Sequence, residues 1–501
     1  MEHKGYFMGI DAGTTGTTVL IMDEKWNVAA KGYQKHIMNS PKLGWMEQDA
    51  NVLWEDLLCV VKKALSQLPL NARILGIGLD HQGESCLIWE KSTGNPLSQA
   101  INWQDRRTVS AVEELAAKYG EEIQKRTGFF PDSYFSAEKF VWELDQIPNG
   151  HQRAKSGELC AGTLGSWFLW KMTGGKIHMT DPSTASRTML YNIHRGGWDD
   201  EILEMLSLPR KMLPQIGSSA QRFGMTQPQC FLGLQAPVSG LIVDQQAALF
   251  GQCCFHTGMI KTTYGTGCFL LMNTGQTPIK SPGGLLTTVA WNLGEKDTFA
   301  LDGGIYTAGA AVNWLREKMG MIESFEQTQQ MAESVQDNGG IYFVPAFVGL
   351  AAPHWDSCAR GTIFGINSMT EKEQIVRATL ESIAYQVSDN LDVMIKDSGF
   401  PIGVMRADGG MAVNSFLMQF QADILNIPVD VPVISETSSL GAAYLAAFGE
   451  GWFSSLSEIE CNWQLQCRYE PKMSDDERQT LLYNWHRAVE RSLGWLQKKT
   501  S

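Results

Sequence analysis

The sequence lacks several features that mark common protein classes. None of its stretches reaches the roughly 18 uninterrupted apolar residues that a membrane-spanning helix needs, so we expect no membrane association. Its first residues include Glu2, His3 and Lys4 but no apolar core, so we expect no signal peptide. The ten cysteines are scattered without a C-x-x-C pair, which argues against a disulfide framework and a zinc site and favours the reducing cytoplasm.

Positive charge is also scarce. The 501 residues carry a formal net charge of −13 and the calculated pI is near 5.3, so a nucleic acid is not an expected partner. A small phosphorylated ligand is still compatible with this charge, because local loops bind phosphate against the global sign. The 44% of hydrophobic residues and the length are typical of a globular protein of two or three domains.

Strand-like and helix-like segments alternate along the chain. The helical pattern of residues 52–68 precedes the apolar run ARILGIGLD at 72–80, and IYFVPAF at 341–347 precedes a long helical pattern at 373–395. This alternation predicts an α/β protein.

The opening GIDAGTTGTTVLIMD, residues 9–23, is a glycine- and threonine-rich turn between two apolar runs. It lacks the Gly-Lys-Ser/Thr ending of a Walker loop, and its second half is β-rich, unlike the helix that follows a dinucleotide fingerprint. Asp11 ends the first run, while Thr14 and Thr15 add hydroxyls to the open N–H groups of the turn. Such a hairpin suits a polyphosphate with Mg²⁺, although an ordinary hairpin would have the same composition.

Two later segments extend this pattern. GMIKTTYGTGCFLLMNTG at 258–275 repeats the hairpin, and RADGGMAVN at 406–414 has a strand, Asp-Gly-Gly and a helix start. Chance similarity of glycine-rich turns is the alternative for each segment alone. In this order, however, the three resemble the ATPase fold shared by actin, Hsp70 chaperones and sugar kinases.

Longer blocks carry a more specific resemblance. AINWQDRR (100–107), GTLGSWFLWKMTGGKIHMTDPSTASRTMLYNI (162–193), PVSGLIVDQQAALFGQ (237–252) and GTIFGINSMTEKEQIVRATLE (361–381) resemble the FGGY carbohydrate kinases, and glycerol kinases most of all. The resemblance implies two actin-like, ribonuclease H-like α/β domains with a nucleotide cleft between them. We predict an N-terminal domain at residues 1–252 and a C-terminal domain at 253–501. The resemblance also implies ATP and Mg²⁺ as cofactors, a small polyol or sugar as substrate, and assembly as a homodimer or homotetramer.

The resemblance assigns catalytic and cofactor roles to individual residues. Asp244 is the expected general base toward the acceptor hydroxyl, with helix capping as its structural alternative. Asp11 is expected to orient Mg²⁺ through water. The expected nucleotide contacts are Thr14, Thr15, Thr266, Gly309, Asn313, Gly410 and Asn414.

The acceptor pocket departs from the glycerol-kinase pattern. The matching positions are Gly83, Glu84, Trp103, Tyr134, Asp244, Gln245 and Phe269. Glycerol kinases have an arginine where this chain has Gly83, so hydrogen bonds to a polyol worth ~1.5–3 kcal/mol each are missing. We therefore expect a larger, less cationic pocket and an acceptor longer than glycerol.

Three functions follow from the sequence in decreasing order of support. The first is an ATP-dependent polyol or sugar kinase, and the second is a true glycerol kinase that differs only through Gly83. The third is an actin-like ATPase that serves as a chaperone or a sugar sensor, against which the retained Asp11 and Asp244 argue.

Overall fold

Two twisted sheets flanked by helices form the framework of the computed structural model, which describes residues 4–496. The strands of the N-terminal half are β1 (Gly5–Ala12), β2 (Gly16–Asp23), β3 (Val28–Lys35), β4 (Glu47–Gln48), β5 (Arg73–His81), β6 (Cys86–Glu90), β7 (Ala100–Ile101), β8 (Leu159–Thr163), β9 (Met179–Thr180), β10 (Tyr191–Asn192), β11 (Gly197–Trp198), β12 (Gln215–Ile216), β13 (Ala220–Met225) and β14 (Pro237–Val243). Its helices are α1 (Ala50–Leu65), α2 (Val109–Thr127), α3 (Ala137–Gln146), α4 (Gly150–Ser156), α5 (Leu164–Met172), α6 (Pro182–Ser186), α7 (Asp200–Met205) and α8 (Asp244–Gly251), with a 3₁₀ turn at Arg210–Met212.

The C-terminal half has the same kinds of element. Its strands are β15 (Ile260–Tyr264), β16 (Cys268–Gly275), β17 (Leu286–Asn292), β18 (Asp297–Ile305), β19 (Tyr342–Val344), β20 (Thr362–Phe364), β21 (Met405–Asp408), β22 (Val429–Pro432) and β23 (Leu465–Tyr469). Its helices are α9 (Gly309–Glu317), α10 (Gln327–Ser334), α11 (Lys372–Ser398), α12 (Ser415–Leu425), α13 (Thr437–Gly449), α14 (Leu456–Glu460) and α15 (Asp475–Ser492).

The two main sheets repeat one arrangement. In the first, of order β13-β14-β5-β1-β2-β3, the hairpin β1–β2 is antiparallel and β5 runs parallel to β1. In the second, of order β17-β18-β16-β15-β21-β22-β23, the hairpin β15–β16 is antiparallel and β21 runs parallel to β15. The predicted α/β class and both predicted hairpins are therefore confirmed.

Local sequence explains where the helices begin and end. The Asp49 side chain accepts hydrogen bonds from the N–H groups of Asn51 and Val52, which caps α1, while Lys62 and Lys63 lie in its last turn. A capping box starts α11, whose middle turns are buried in the core of the C-terminal half. Apolar burial on one side of α1 and along α11 then fixes both helices against their sheets.

Helix α13, from the C-terminal half of the sequence, packs closely on the sheet of the N-terminal half at glycine positions. Although it lies late in the chain, it packs on β1, β5, β14 and α8. A Cβ atom at Gly9 would lie 1.8 Å from the Ser439 carbonyl oxygen, and one at Gly78 would lie 1.8 Å from that of Ala442. Only glycine permits this approach of helix to sheet, so α13 holds the strands that end at the cleft.

The predicted domain boundary between residues 252 and 253 lies in the segment that connects α8 to β15. It stays a prediction, and the outermost residues of the two predicted domains, 1–3 and 497–501, lie outside the described part of the chain. Within residues 4–496, every helix is too short or too polar to cross a bilayer.

We predict that Gly78→Ala destabilises the protein. The new methyl group cannot coexist with the Ala442 carbonyl, so α13 must move from the sheet, and overpacking of this kind costs ~1–3 kcal/mol. The apparent Tm should fall by about 1–3 °C in a thermal melt, because the unfolding entropy of a chain of this length is about 1 kcal/mol/K. Gly197→Ala is the matched control, because a Cβ there meets nothing within 4 Å; an equal fall in both variants would contradict the packing argument.

Candidate active site

A cavity of about 820 Å³ lies between the two hairpin turns and receives side chains from both halves of the chain. It brings together ten of the residues predicted from sequence, namely Thr14, Thr15, Gly83, Glu84, Trp103, Tyr134, Asp244, Gln245, Thr266 and Phe269. The predicted phosphate side and acceptor side therefore share one space.

Asp244 is the first residue of α8, directly after β14, and its carboxylate lines the cavity. Its Oδ1 accepts a hydrogen bond of 2.7 Å from the N–H of Gln245, whereas the capping position is Val243, so Asp244 is not the N-cap residue. Burial, followed by the charges of Glu84 and Asp11, raises the pKa of Asp244 to about 7. A carboxyl group with this pKa can accept a proton near neutral pH.

Asp11 is the penultimate residue of β1, outside the lining of the cavity, and it faces a second carboxylate that sequence reasoning missed. Asp11 is paired in parallel register with Asp80 of β5, and Asp80 is fully buried. Burial raises the pKa of Asp11 to about 6, and burial with the charge of Asp11 raises the pKa of Asp80 well above its ordinary value. The signal was present in the sequence, since ARILGIGLD ends in an acid just as the first strand does.

The first phosphate turn is linked to the acceptor side by a hydrogen bond. Trp103 Nε1 donates to Thr14 Oγ1 at 2.8 Å, which leaves the hydroxyl proton of Thr14 free to be donated to a ligand oxygen. Thr15 lies exposed at the tip of this turn. Thr266 is exposed on the facing turn, where its carbonyl accepts from the N–H groups of Ala308 and Ala310. Both turns thus present free hydroxyls to the cavity.

Aromatic rings form the walls of the acceptor side. The ring centroid of Trp103 lies 5.6 Å from that of Tyr134 and 6.4 Å from that of Phe269, in edge-to-face geometry. Burial and the neighbouring Glu84 charge raise the pKa of Tyr134, so its hydroxyl stays protonated and can donate to an acceptor oxygen.

A guanidinium group reaches the pocket from a position that sequence reasoning did not select. Arg187 Nε donates to Glu84 Oε1 at 2.6 Å, and its Nη1 donates to Asp302 Oδ2 at 2.8 Å. A Cβ at Gly83 would lie 3.8 Å from Arg187 Cγ and 2.9 Å from Val243 Cγ2. The space beside Gly83 is therefore partly filled, and the pocket keeps a cation despite the glycine. Arg187 lies in the matching block ASRTML, which was the available signal.

Lys261 is a further cation that sequence reasoning missed, although it belongs to the second hairpin. It is fully buried, and its Nζ donates to Gln245 Oε1 at 2.6 Å and to Thr263 Oγ1 at 2.8 Å. Burial lowers the pKa of Lys261, while its charge lowers that of Asp244. Lys261 therefore holds Gln245 in place and tunes the candidate base.

The four other residues predicted to contact the nucleotide do not line the cavity, and they differ in burial and in packing. Gly309 packs against the second hairpin, since a Cβ there would lie 2.6 Å from the Gly265 carbonyl oxygen. Asn414 caps α12 by accepting from the N–H of Leu417 at 3.0 Å. Asn313 is exposed, and a Cβ at Gly410 would meet nothing within 4 Å. Gly309 and Asn414 thus have structural roles, whereas Gly410 has open space before it.

Comparison with known proteins tests the resemblance. Glycerol kinase 2 of Thermotoga maritima is 49% identical over 492 residues, which are 98% of this chain and 99% of that protein. Glycerol kinase of Thermus thermophilus is 45% identical with the same coverage. The crystal structure of Plasmodium falciparum glycerol kinase with ADP matches with a TM-score of 0.91 at 36% identity over 99% of both chains.

Other structures share the fold alone. Xylulose kinase from Lactobacillus acidophilus matches with a TM-score of 0.86 at 21% identity, over 97% of each chain.

Residues 6–251 and 260–450 match the N-terminal and C-terminal domains of the FGGY family of carbohydrate kinases, which confirms the predicted family and fold. The chain therefore belongs to the FGGY family of carbohydrate kinases and is a phosphotransferase with an alcohol acceptor.

Proposed function

We propose that this kinase uses Mg-ATP to phosphorylate a hydroxyl group of a small polyol or sugar, with Asp244 as the general base. The observation that carries the proposal is the position of Asp244, which shares one cavity with two threonine-bearing turns and the aromatic acceptor walls. Phosphoryl transfer requires a positioned phosphate, charge neutralisation and a base near the attacking hydroxyl. The cavity offers candidates for the first and the last of these, and Asp11, which is near enough for its charge to act on Asp244, is the candidate for holding a neutralising cation.

Thr14, Thr15 and Thr266 are proposed to hold the phosphates, because their hydroxyls and the adjoining N–H groups flank the cavity. Asp11 supplies the hard oxygen ligands that Mg²⁺ prefers, directly or through water, and the cation would neutralise charge on the phosphates. The adenosine is assigned to the side of Gly410, Asn414, Gly309 and Asn313. Asn313 and Gly410 have room for a ligand, which supports this assignment most directly.

On the acceptor side, Asp244 removes the proton from the hydroxyl as its oxygen bonds to phosphorus. Glu84, Gln245 and Tyr134 are proposed to orient the remaining hydroxyls, while Trp103 and Phe269 shield the carbon chain from water. Excluding water protects the γ-phosphate from hydrolysis.

The acceptor is proposed to be longer than glycerol, on the basis of Gly83. Arg187 does not simply replace an arginine at that position, because its guanidinium is committed to Glu84 and Asp302. Glycerol is the competing acceptor, and the names of the relatives favour it. Assembly as a homodimer or homotetramer stays a prediction, as does the cytoplasmic location suggested by ten cysteines that are all free thiols.

We predict that Asp244→Asn lowers kcat by ~10²–10⁴-fold, because the amide cannot accept the hydroxyl proton. ADP affinity, measured by calorimetry, should stay within about threefold, since the phosphate turns are unaltered. Asp200→Asn is the matched control, because Asp200 is likewise the first residue of a helix but forms a surface ion pair with Arg210. More than a tenth of wild-type turnover in Asp244→Asn would remove Asp244 from the base role.

We predict that the pH dependence of kcat/KM reports Asp244. The base must be ionised, so the rate should fall as the pH decreases through the pKa of Asp244, about 7 without a bound cation. The charge of Asp11 raises this pKa, and Mg²⁺ bound at Asp11 would offset that charge, so the pKa in the loaded enzyme should be at or below about 7. Because the Lys261 charge lowers the pKa of Asp244, Lys261→Met should raise that pKa and move the acidic limb to higher pH. The surface variant Lys296→Met serves as control, and an unmoved limb in Lys261→Met would refute the coupling.

We predict that wild-type kcat/KM is higher for a four- or five-carbon polyol or ketose than for glycerol. Gly83→Arg should then shift the ratio toward glycerol by about 10-fold or more, which requires only ~1.4 kcal/mol. Gly83→Ala is the matched control, since it brings the same Cβ against Val243 without a guanidinium. Should glycerol have the highest wild-type kcat/KM and the arginine leave the ratio unmoved, the acceptor is glycerol itself.

A further inference from the structure

Asp80 is a buried carboxylate for which the reaction as derived above has no use. It is 0% exposed, and among residues 4–496 the one side chain that reaches its carboxylate oxygens is that of Asp11, another acid, which can share a hydrogen bond with Asp80 only when one of the two carboxyl groups is protonated. A buried ionised carboxylate without a partner is costly, so side chains in this condition are normally bonded to a donor or a cation.

The position of Asp80 relates it to Asp11. The strands β1 and β5 are parallel, and Asp11 and Asp80 are direct partners in their register, so the two side chains lie on the same face at the same end of the sheet. Asp244 lies just beyond the neighbouring strand β14, and it is near enough for its charge to act on Asp80. Three carboxylates therefore crowd one edge of the sheet.

The cations of the site do not neutralise this group. Arg187 is bonded to Glu84 and Asp302, and Lys261 is bonded to Gln245 and Thr263. A bound cation would supply both the missing positive charge and the missing partner for the Asp80 oxygens.

We propose that Asp80 is a second carboxylate ligand, beside Asp11, for the divalent cation that accompanies the nucleotide. The inference rests on the proposed function only in assigning a cation to this end of the cleft. Mg²⁺ in phosphoryl-transfer sites is typically held by one or two carboxylates, with phosphate oxygens and water in the other positions. Within residues 4–496, no group of three or more His, Cys, Asp or Glu side chains is arranged to hold a metal ion, so phosphate and water oxygens would have to supply the remaining positions around the cation.

The test is the binding of Mn²⁺ alone to the full-length protein, without nucleotide or acceptor, measured by electron paramagnetic resonance. Mn²⁺ is a suitable probe because it takes the same oxygen ligands as Mg²⁺. Wild type should bind one Mn²⁺ per chain, and Asp80→Asn and Asp11→Asn should each weaken its binding by about 10-fold or more. Asp430→Asn is the matched control: Asp430 is also a buried strand carboxylate, but it is bonded to Arg468, and its loss should leave Mn²⁺ affinity unchanged.

A thermal melt distinguishes a ligand from a merely structural residue. In metal-free buffer, Asp80→Asn should melt at or above the wild-type temperature, because a neutral amide removes the unfavourable charge interaction between Asp80 and Asp11. The rise in Tm that Mn²⁺ gives to wild type should shrink in the variant, since stabilisation by a ligand depends on its affinity.

Two results would overturn the inference: wild type that binds no Mn²⁺ at millimolar concentration, or Asp80→Asn with wild-type Mn²⁺ affinity while Asp11→Asn is weakened. The inference about Asp80 and the proposed function can fail independently of each other. A chain that binds Mn²⁺ through Asp80 but phosphorylates no polyol or sugar would refute only the function, and an active kinase whose Mn²⁺ affinity ignores Asp80 would refute only this inference.

Discussion

The close approach of helix α13 to the N-terminal sheet is the constraint on which the site depends. The helix comes from the C-terminal half, yet its carbonyl groups touch strand backbone at Gly9 and Gly78. Those two glycines lie on the strands whose penultimate residues are Asp11 and Asp80. Because backbone packs directly on backbone there, little side-chain rearrangement can absorb a displacement, and the carboxylates near the strand ends are held firmly relative to α13.

A second organising influence is the concentration of acidic side chains around the cavity, of which Glu84 and Asp302 are buried. Glu84, Asp244 and Asp302 all line the cavity, and Arg187 neutralises the first and the last of these. Asp244 receives no ion pair, so burial and its acidic neighbours raise its pKa to about 7. The two acids that are paired with Arg187 thus differ from Asp244, whose raised pKa suits the proposed exchange of a proton.

Local patterns made the fold and much of the site predictable. The hairpin turns, the acid at the end of β1 and Asp244 at the start of α8 each have a signature within a few neighbouring residues, and the order of these features indicated the family. Arg187, Lys261 and Asp302 were missed because their roles arise from contacts with residues distant in sequence; Arg187, for example, meets Asp302 115 residues away. Asp80 had a local signal, the acid at the end of an apolar run, but its pairing with Asp11 requires the strand register. Sequence alone likewise could not show that Arg187 partly fills the space beside Gly83, since no local pattern reports which side chain points there.

The hydrogen bond from Trp103 to Thr14 has a thermodynamic consequence. One end of this bond is a wall of the proposed acceptor pocket and the other is a hydroxyl of the proposed phosphate turn, so the two proposed binding sites share a contact. Any acceptor that moves the indole changes the orientation of the Thr14 hydroxyl and hence the free energy of nucleotide binding. Linkage is reciprocal, so the nucleotide must alter acceptor affinity by the same factor. This single bond therefore couples the binding free energies of the two proposed substrates.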